Sequence, residues 1–195
     1  YKSLDPAGQF DSASAEIVSN VYDTLLEYHY LKRPYELVPN LLARMPEKQA
    51  DGVTYLFTLR DDVRFIDDPA FPGGVGRDMT VDDVIYSIKR FADANVNVKS
   101  YILVQGVVVG LDEFREATRA HGKGMDYDAV EVAGLRRIDD HRLAIRFTAP
   151  NPLALYPFAA SPLSIVAREA VEHYGEAFAA NPVGSGPFVL VKNDR

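Results

Sequence analysis

The sequence predicts a mixed α+β fold, and three observations carry that prediction. Two helical stripes of apolar residues run over 13–28 and 79–91, one strongly alternating strand covers 53–59, and two further alternating runs over 130–147 are joined by turn residues. Residues 1–12 are extended and turn-rich. In the first stripe Ile17, Val21, Leu25 and Tyr28 recur at helical spacing, with Val18, Tyr22 and Leu26 beside them; this predicts a helix, and Ser12 or Ser14 suits its N-cap. The stretch 34–46 is bounded by prolines and predicts a connector with a short helical turn at Asn40 to Arg44.

The strand is the clearest local signal. Val53, Tyr55, Phe57 and Leu59 alternate with Thr54, Leu56, Thr58 and Arg60, and Asp61-Asp62 offers turn chemistry after them. A Pro/Gly-rich loop follows over 66–78. Thr80 and Asp83 then stand at capping-box spacing before Val81, Val84, Ile85, Ile88 and Phe91, one apolar face. Residues 101–118 predict a helix leading into a second helical piece, 119–129 a polar loop, and 130–147 a hairpin turning at Asp139-Asp140-His141. Another helix is expected near the end of 151–175, and Phe188 to Val191 reads as a strand.

Composition narrows the function classes. Of 195 residues, 47% are hydrophobic and 25% charged, which permits a sizeable core. A net charge of -7 with no long basic run disfavours a nucleic-acid partner, which needs clustered Lys and Arg against phosphate. The absence of cysteine excludes disulfides, thiolate metal sites and thiol catalysis. No apolar stretch approaches a membrane span. The chain opens on Tyr1 and stops on a strand that has just begun, so it is expected to be a piece of a longer chain from which a targeting segment was removed.

One motif invites a catalytic reading. Asn181-Pro182-Val183-Gly184-Ser185-Gly186-Pro187-Phe188 combines two glycines and a serine ahead of an apolar run. A phosphate loop needs a Gly-Lys-Ser/Thr end, and Pro187 has no N–H to offer an anion. A nucleophile elbow needs G-x-S-x-G, which this spacing lacks. The glycines are therefore expected to serve a tight turn into a strand. His29, His121, His141 and His173 show no ligand spacing, and the Asp61-Asp62 and Asp67-Asp68 pairs lack the calcium-loop pattern. No catalytic constellation, metal site or cofactor is expected.

Seven phrases taken in order say more. Ser3–Pro6 (SLDP), Val21–Tyr28 (VYDTLLEY), Leu37–Arg44 (LVPNLLAR), Thr54–Phe65 (TYLFTLRDDVRF), Met79–Phe91 (MTVDDVIYSIKRF), Ile138–Phe147 (IDDHRLAIRF) and Asn181–Leu190 (NPVGSGPFVL) resemble the family 5 extracellular solute-binding proteins, the oligopeptide- and dipeptide-binding components of ABC importers. The loop 66–78 departs from the family's usual short F-x-D-G turn. The resemblance implies a periplasmic binding protein-like type II fold, with residues 1–22 and 168–195 as parts of the first lobe, domain I. Residues 23–167 would form an inserted small α+β domain, domain II, and the second lobe would be absent. It implies binding without chemistry: capture of an oligopeptide or similar solute outside the cytoplasmic membrane, in the periplasm or on a membrane-anchored extracellular protein, and delivery to the permease subunits. By position it suggests Phe10, Asp11, Ser12, Lys99 and Tyr101 as ligand-binding residues. Asp11 suits either a ligand amine or the start of a helix. The rival readings are a secreted hydrolase, which needs a nucleophile–base pair or metal cluster, and a ligand-sensing regulatory module.

Overall fold

A computed structural model of the chain describes residues 1–191. The first helix, α1 (Ser12–Val21), is shorter than its apolar stripe and is capped by neither serine. Asp11 is the N-cap: its carboxylate accepts from Ser14 N at 2.9 Å and from Ser14 Oγ at 2.6 Å. Ser14 Oγ in turn accepts from the Lys2 and Ser3 amides, so the cap also ties down the N-terminus. Beyond Tyr22 the expected helix gives way to strand β1 (Leu26–Tyr28), which pairs antiparallel with β2 (Leu37–Pro39). Tertiary pairing wins here because Leu25 and Leu26 are both buried, on opposite faces of an extended chain.

The predicted turn at Asn40 to Arg44 is not helical either. Ala43 N donates to Thr58 O, Arg60 N donates to Leu41 O, and Leu42 bridges Leu59. The segment thus runs along the edge of a four-stranded antiparallel sheet made of β3 (Glu47–Lys48), β4 (Thr54–Thr58), β5 (Leu135–Arg137) and β6 (Arg142–Arg146), in the order β3-β4-β6-β5. The predicted strand and hairpin are its centre: Phe57 faces Leu143, and Tyr55 faces Ile145. Asp139 closes the hairpin by accepting from the His141 and Arg142 amides.

Helix α2 (Val81–Ala92) begins at Thr80 in the expected capping box, with Thr80 N donating to Asp83 Oδ2 at 2.9 Å. It packs against β5 and against α3 (Leu111–His121). Residues 101–110 do not form the long helix expected. A short turn at Tyr101–Leu103 ends before Gly106 and Gly110, whose φ angles of 69° and 80° leave the helical region, and Val108 bridges Phe147 instead. One apolar core links these parts, with the Phe57 and Phe158 rings edge to face at 5.4 Å. α4 (Arg168–Tyr174) follows, as predicted.

The two ends of the chain meet. Leu4 N donates to Ala179 O at 2.9 Å. The returning segment 183–188 lies against the end of α1: Gly186 N donates to Val21 O, Phe188 N to Asn20 O, and Val183 N to the buried Tyr22 hydroxyl. A Cβ on Gly184 would stand 2.0 Å from Val21 O, and one on Gly186 would stand 2.6 Å from Val21 C. The glycines serve close backbone approach, and the expected strand after them pairs with no strand among the described residues, because the backbone it meets is the carbonyl end of a helix. Residues 192–195 of that segment lie outside the described residues.

Candidate functional site

The N-terminal segment is held in place by one charged pair. Asp5, in the SLDP phrase, receives a bidentate grip from Arg90 of α2, at 2.8 and 2.6 Å. Both side chains are largely buried, at 10% and 14% exposure for Arg90 and Asp5. Asp5 also accepts from Ala7 N and so caps the short turn Pro6–Gly8. Beyond that turn the chain becomes exposed at Phe10, 77% accessible, although Gln9 beside it is buried.

The remaining predicted positions divide. Asp11 is committed to the helix cap, and the Ser14 hydroxyl and amide hold its carboxyl below the usual carboxylate range. Ser12 is exposed in the first turn of α1. Lys99 is exposed on the loop before the short turn at Tyr101. Tyr101 is engaged inside the fold: its hydroxyl donates to Asp112, the Arg115 guanidinium lies 4.1 Å from its ring centre, and burial followed by the Asp112 contact pushes its hydroxyl well above the ordinary range. The Gly8 turn and the loop ahead of Lys99 are neighbours, since a Cβ on Gly8 would stand 3.7 Å from Asn97 O.

A hollow of about 410 Å³ opens beside this corner, between α1, β1, the 159–164 turns and Pro187. Gln9 reaches its wall, with Nε2 donating to Ser161 Oγ at 2.6 Å. Asp23, Glu27, Tyr28 and Asn40 line it together with the hydroxyls of Ser19, Thr24, Ser161 and Ser164. Asp23 accepts from Ser185 Oγ at 2.9 Å and from Asn40 Nδ2 at 3.3 Å, which orients its carboxylate. Sequence reasoning misses Gln9, Asp23, Glu27 and Ser161. Their signal is only visible in three dimensions, because residues 9 and 161 are adjacent through folding alone. Among the described residues no group of three His, Asp or Glu side chains is arranged to hold a metal ion, and no helix is long and apolar enough to cross a membrane.

Comparison with known proteins gives this corner its context. The family model for bacterial extracellular solute-binding proteins, family 5 Middle, matches residues 36–195. The oligopeptide-binding protein SarA of Streptococcus gordonii is 28% identical over 187 residues, covering 92% of this chain and 25% of that protein. The dipeptide-binding protein of Escherichia coli is 28% identical over 186 residues, covering 93% of this chain and 30% of that protein. The chain therefore spans between a quarter and a third of these relatives' lengths. Among solved structures, the pheromone receptor PrgZ superposes with a TM-score of 0.79 at 20% identity, over 99% of this chain and 34% of that one. An oligopeptide-binding protein of Burkholderia pseudomallei superposes with a TM-score of 0.75 at 25% identity, over 98% of this chain and 34% of that one. The fold is part of a periplasmic binding protein fold, of mixed α+β class, and the chain belongs to the bacterial extracellular solute-binding proteins of family 5.

Proposed function

We propose that this chain is part of the substrate-binding component of an ABC importer, which captures an oligopeptide or similar solute outside the cytoplasmic membrane and hands it to the permease subunits without chemistry. The observation that carries the reading is the family match over residues 36–195, supported by relatives named for oligopeptide and dipeptide binding. The exposed Phe10 and Ser12, and a polar hollow whose Ser161 is held by Gln9, suit a wet, sequence-tolerant contact with an extended peptide backbone. In this reading residues 1–22 and 168–195 belong to the first lobe and 23–167 to its inserted domain. Phe10, Ser12 and Lys99 offer contacts at the cleft, whereas Asp11 and Tyr101 support it from within. A periplasmic or membrane-anchored extracellular location follows from the same reading.

Calorimetry on the full-length protein and on residues 1–195, with the same tripeptides, is the test. Half a cleft supplies few of the contacts that offset a ligand's lost freedom. At about 1 kcal/mol per hydrogen bond and 1.4 kcal/mol per tenfold, the shorter chain should bind several orders of magnitude more weakly. Equal affinities would overturn the two-lobe arrangement, and failure of the full-length protein to bind any peptide would overturn the peptide reading.

A further inference from the structure

A second hollow, of about 490 Å³, lies between α2, α4 and the short turn Tyr127–Ala129, and it shares no residue with the hollow beside α1. Most of its charges are already matched. Arg77 holds both Asp83 and Glu169, Arg168 grips Asp128 at 2.6 and 3.1 Å, and Arg137 holds Asp82. Three groups are left over. Lys89 is 7% exposed, and its ammonium spends two of its three protons on the Tyr127 and Val130 carbonyls, each at 2.8 Å. Among the described residues no carboxylate stands within ion-pair distance of it. Asp128, Glu131 and Asp126 act on it only through space, and burial outweighs them, pulling the ammonium below the ordinary lysine range. Tyr86 is 9% exposed, and its hydroxyl makes no hydrogen bond among the described residues, yet it is not sealed from solvent. Burial pushes that hydroxyl up to about 12, so it remains a donor. Glu172 stands at the rim, its side chain 69% exposed, with only a loose 3.9 Å approach to Arg168.

We infer that this hollow binds a free amino acid in its zwitterionic form, the carboxylate turned inward to Lys89 and Tyr86 and the ammonium outward to Glu172. A buried cation without a counter-ion carries a desolvation cost, and an entering carboxylate relieves it. The charge left unmatched is positive inside and negative at the rim, so the two ends of a zwitterion each meet their opposite. An anion without an ammonium brings like charge to Glu172, and an amine without a carboxylate leaves Lys89 uncompensated. Ile85 and the Tyr86 and Tyr127 rings give the wall its less polar part, with the Arg168 guanidinium 4.9 Å from the centre of the Tyr86 ring. The volume is ample for one amino acid with its waters. This site does not depend on the peptide-binding reading above.

The test is calorimetry on the full-length protein with three matched probes: leucine, N-acetyl-leucine, which lacks the ammonium, and leucinamide, which lacks the carboxylate. Leucine should bind, and each analogue should bind about tenfold more weakly. Glu172→Gln should leave the melting temperature unchanged, because the residue is exposed and its pair is loose, and should weaken leucine binding severalfold. Tyr86→Phe removes a hydroxyl that has no partner in the fold, so it too should melt with the parent protein and weaken leucine binding severalfold. Absence of saturable leucine binding overturns the site, and so does equal binding of the three probes. A leucine affinity that survives both Glu172→Gln and Tyr86→Phe places the binding elsewhere and also overturns it. Each of these outcomes leaves the peptide-binding reading untouched.

Discussion

Two neighbouring regions of the molecule are built on opposite terms. In the first, the SLDP and NPVGSGPF phrases close on α1 and α2 through buried backbone bonds, a buried ion pair and glycines with no room for a side chain. In the second, a few residues away, Phe10 and Ser12 stand in water, and Glu27 and Tyr28 are exposed where they line a polar hollow. The difference teaches where each residue's role lies. A change in the first region should act on folding, and a change in the second should act on binding and leave folding alone.

The largest expected effect belongs to Asp5. Replacing Asp5 by Ala leaves Arg90 buried without its counter-ion, and breaking such a pair costs about 3–5 kcal/mol. Urea denaturation should show that loss, and a loss under 1 kcal/mol would mean that the clasp is not what anchors the N-terminus. Gly184→Ala comes next. Gly184 does not have a left-handed φ, so the cost comes from space alone: the new methyl group meets Val21 O, a backbone atom that cannot swing away. Overpacking of this kind costs about 1–3 kcal/mol. If the variant melts with the parent protein, the returning segment does not need its close approach to α1.

A smaller effect lies in the acid range. Arg77 bridges Glu169 of α4 and Asp83 of α2, with four contacts between 2.7 and 2.8 Å. The hydrogen bonds from Arg77 hold the Glu169 carboxyl below its ordinary range. A depressed carboxyl contributes stability that is fully present above its unfolded value, near pH 4.3, and is lost as pH falls through the lower folded value. Glu169→Gln should therefore remove that part of the acid-induced loss and flatten stability below about pH 4.3. The neutral-pH cost should be only about 1 kcal/mol, because Glu169 is partly solvated and Arg77 keeps the buried Asp83 as its partner. Parallel acid profiles for the two proteins would exclude the bridge as a contributor. Smallest of all should be the folding effect of Phe10→Ala, within about 0.5 kcal/mol by thermal melting, paired with a measurable loss of peptide affinity in the full-length protein. A large drop in melting temperature would move Phe10 into the first region.

Much of the fold is legible along the chain. The alternation at Val53 to Leu59, the Asp139 turn and the Thr80–Asp83 cap are local signals, and local signals survive folding when no competing partner appears. The stripe from Ile17 to Tyr28 fails for the opposite reason: Leu25 and Leu26 fit a helix face or a strand equally well, and β2 is available to pair with the strand. The site is less legible. Of the positions the family resemblance suggests, Phe10, Ser12 and Lys99 are exposed, while Asp11 and Tyr101 are engaged in holding the structure together.

By itself the sequence determined the α+β class, the backbone rather than phosphate-binding role of the two glycines, the absence of thiol chemistry and the family, because each of these depends on residue type and short-range spacing. Only the tertiary structure decided that Gln9 meets Ser161, that Arg90 clasps Asp5, and that Asp23 and Glu27 line one hollow. Those pairs are separated by up to 152 positions. Spacing at that distance carries no geometric information, and burial and charge complementarity choose the partners only once the chain has closed on itself.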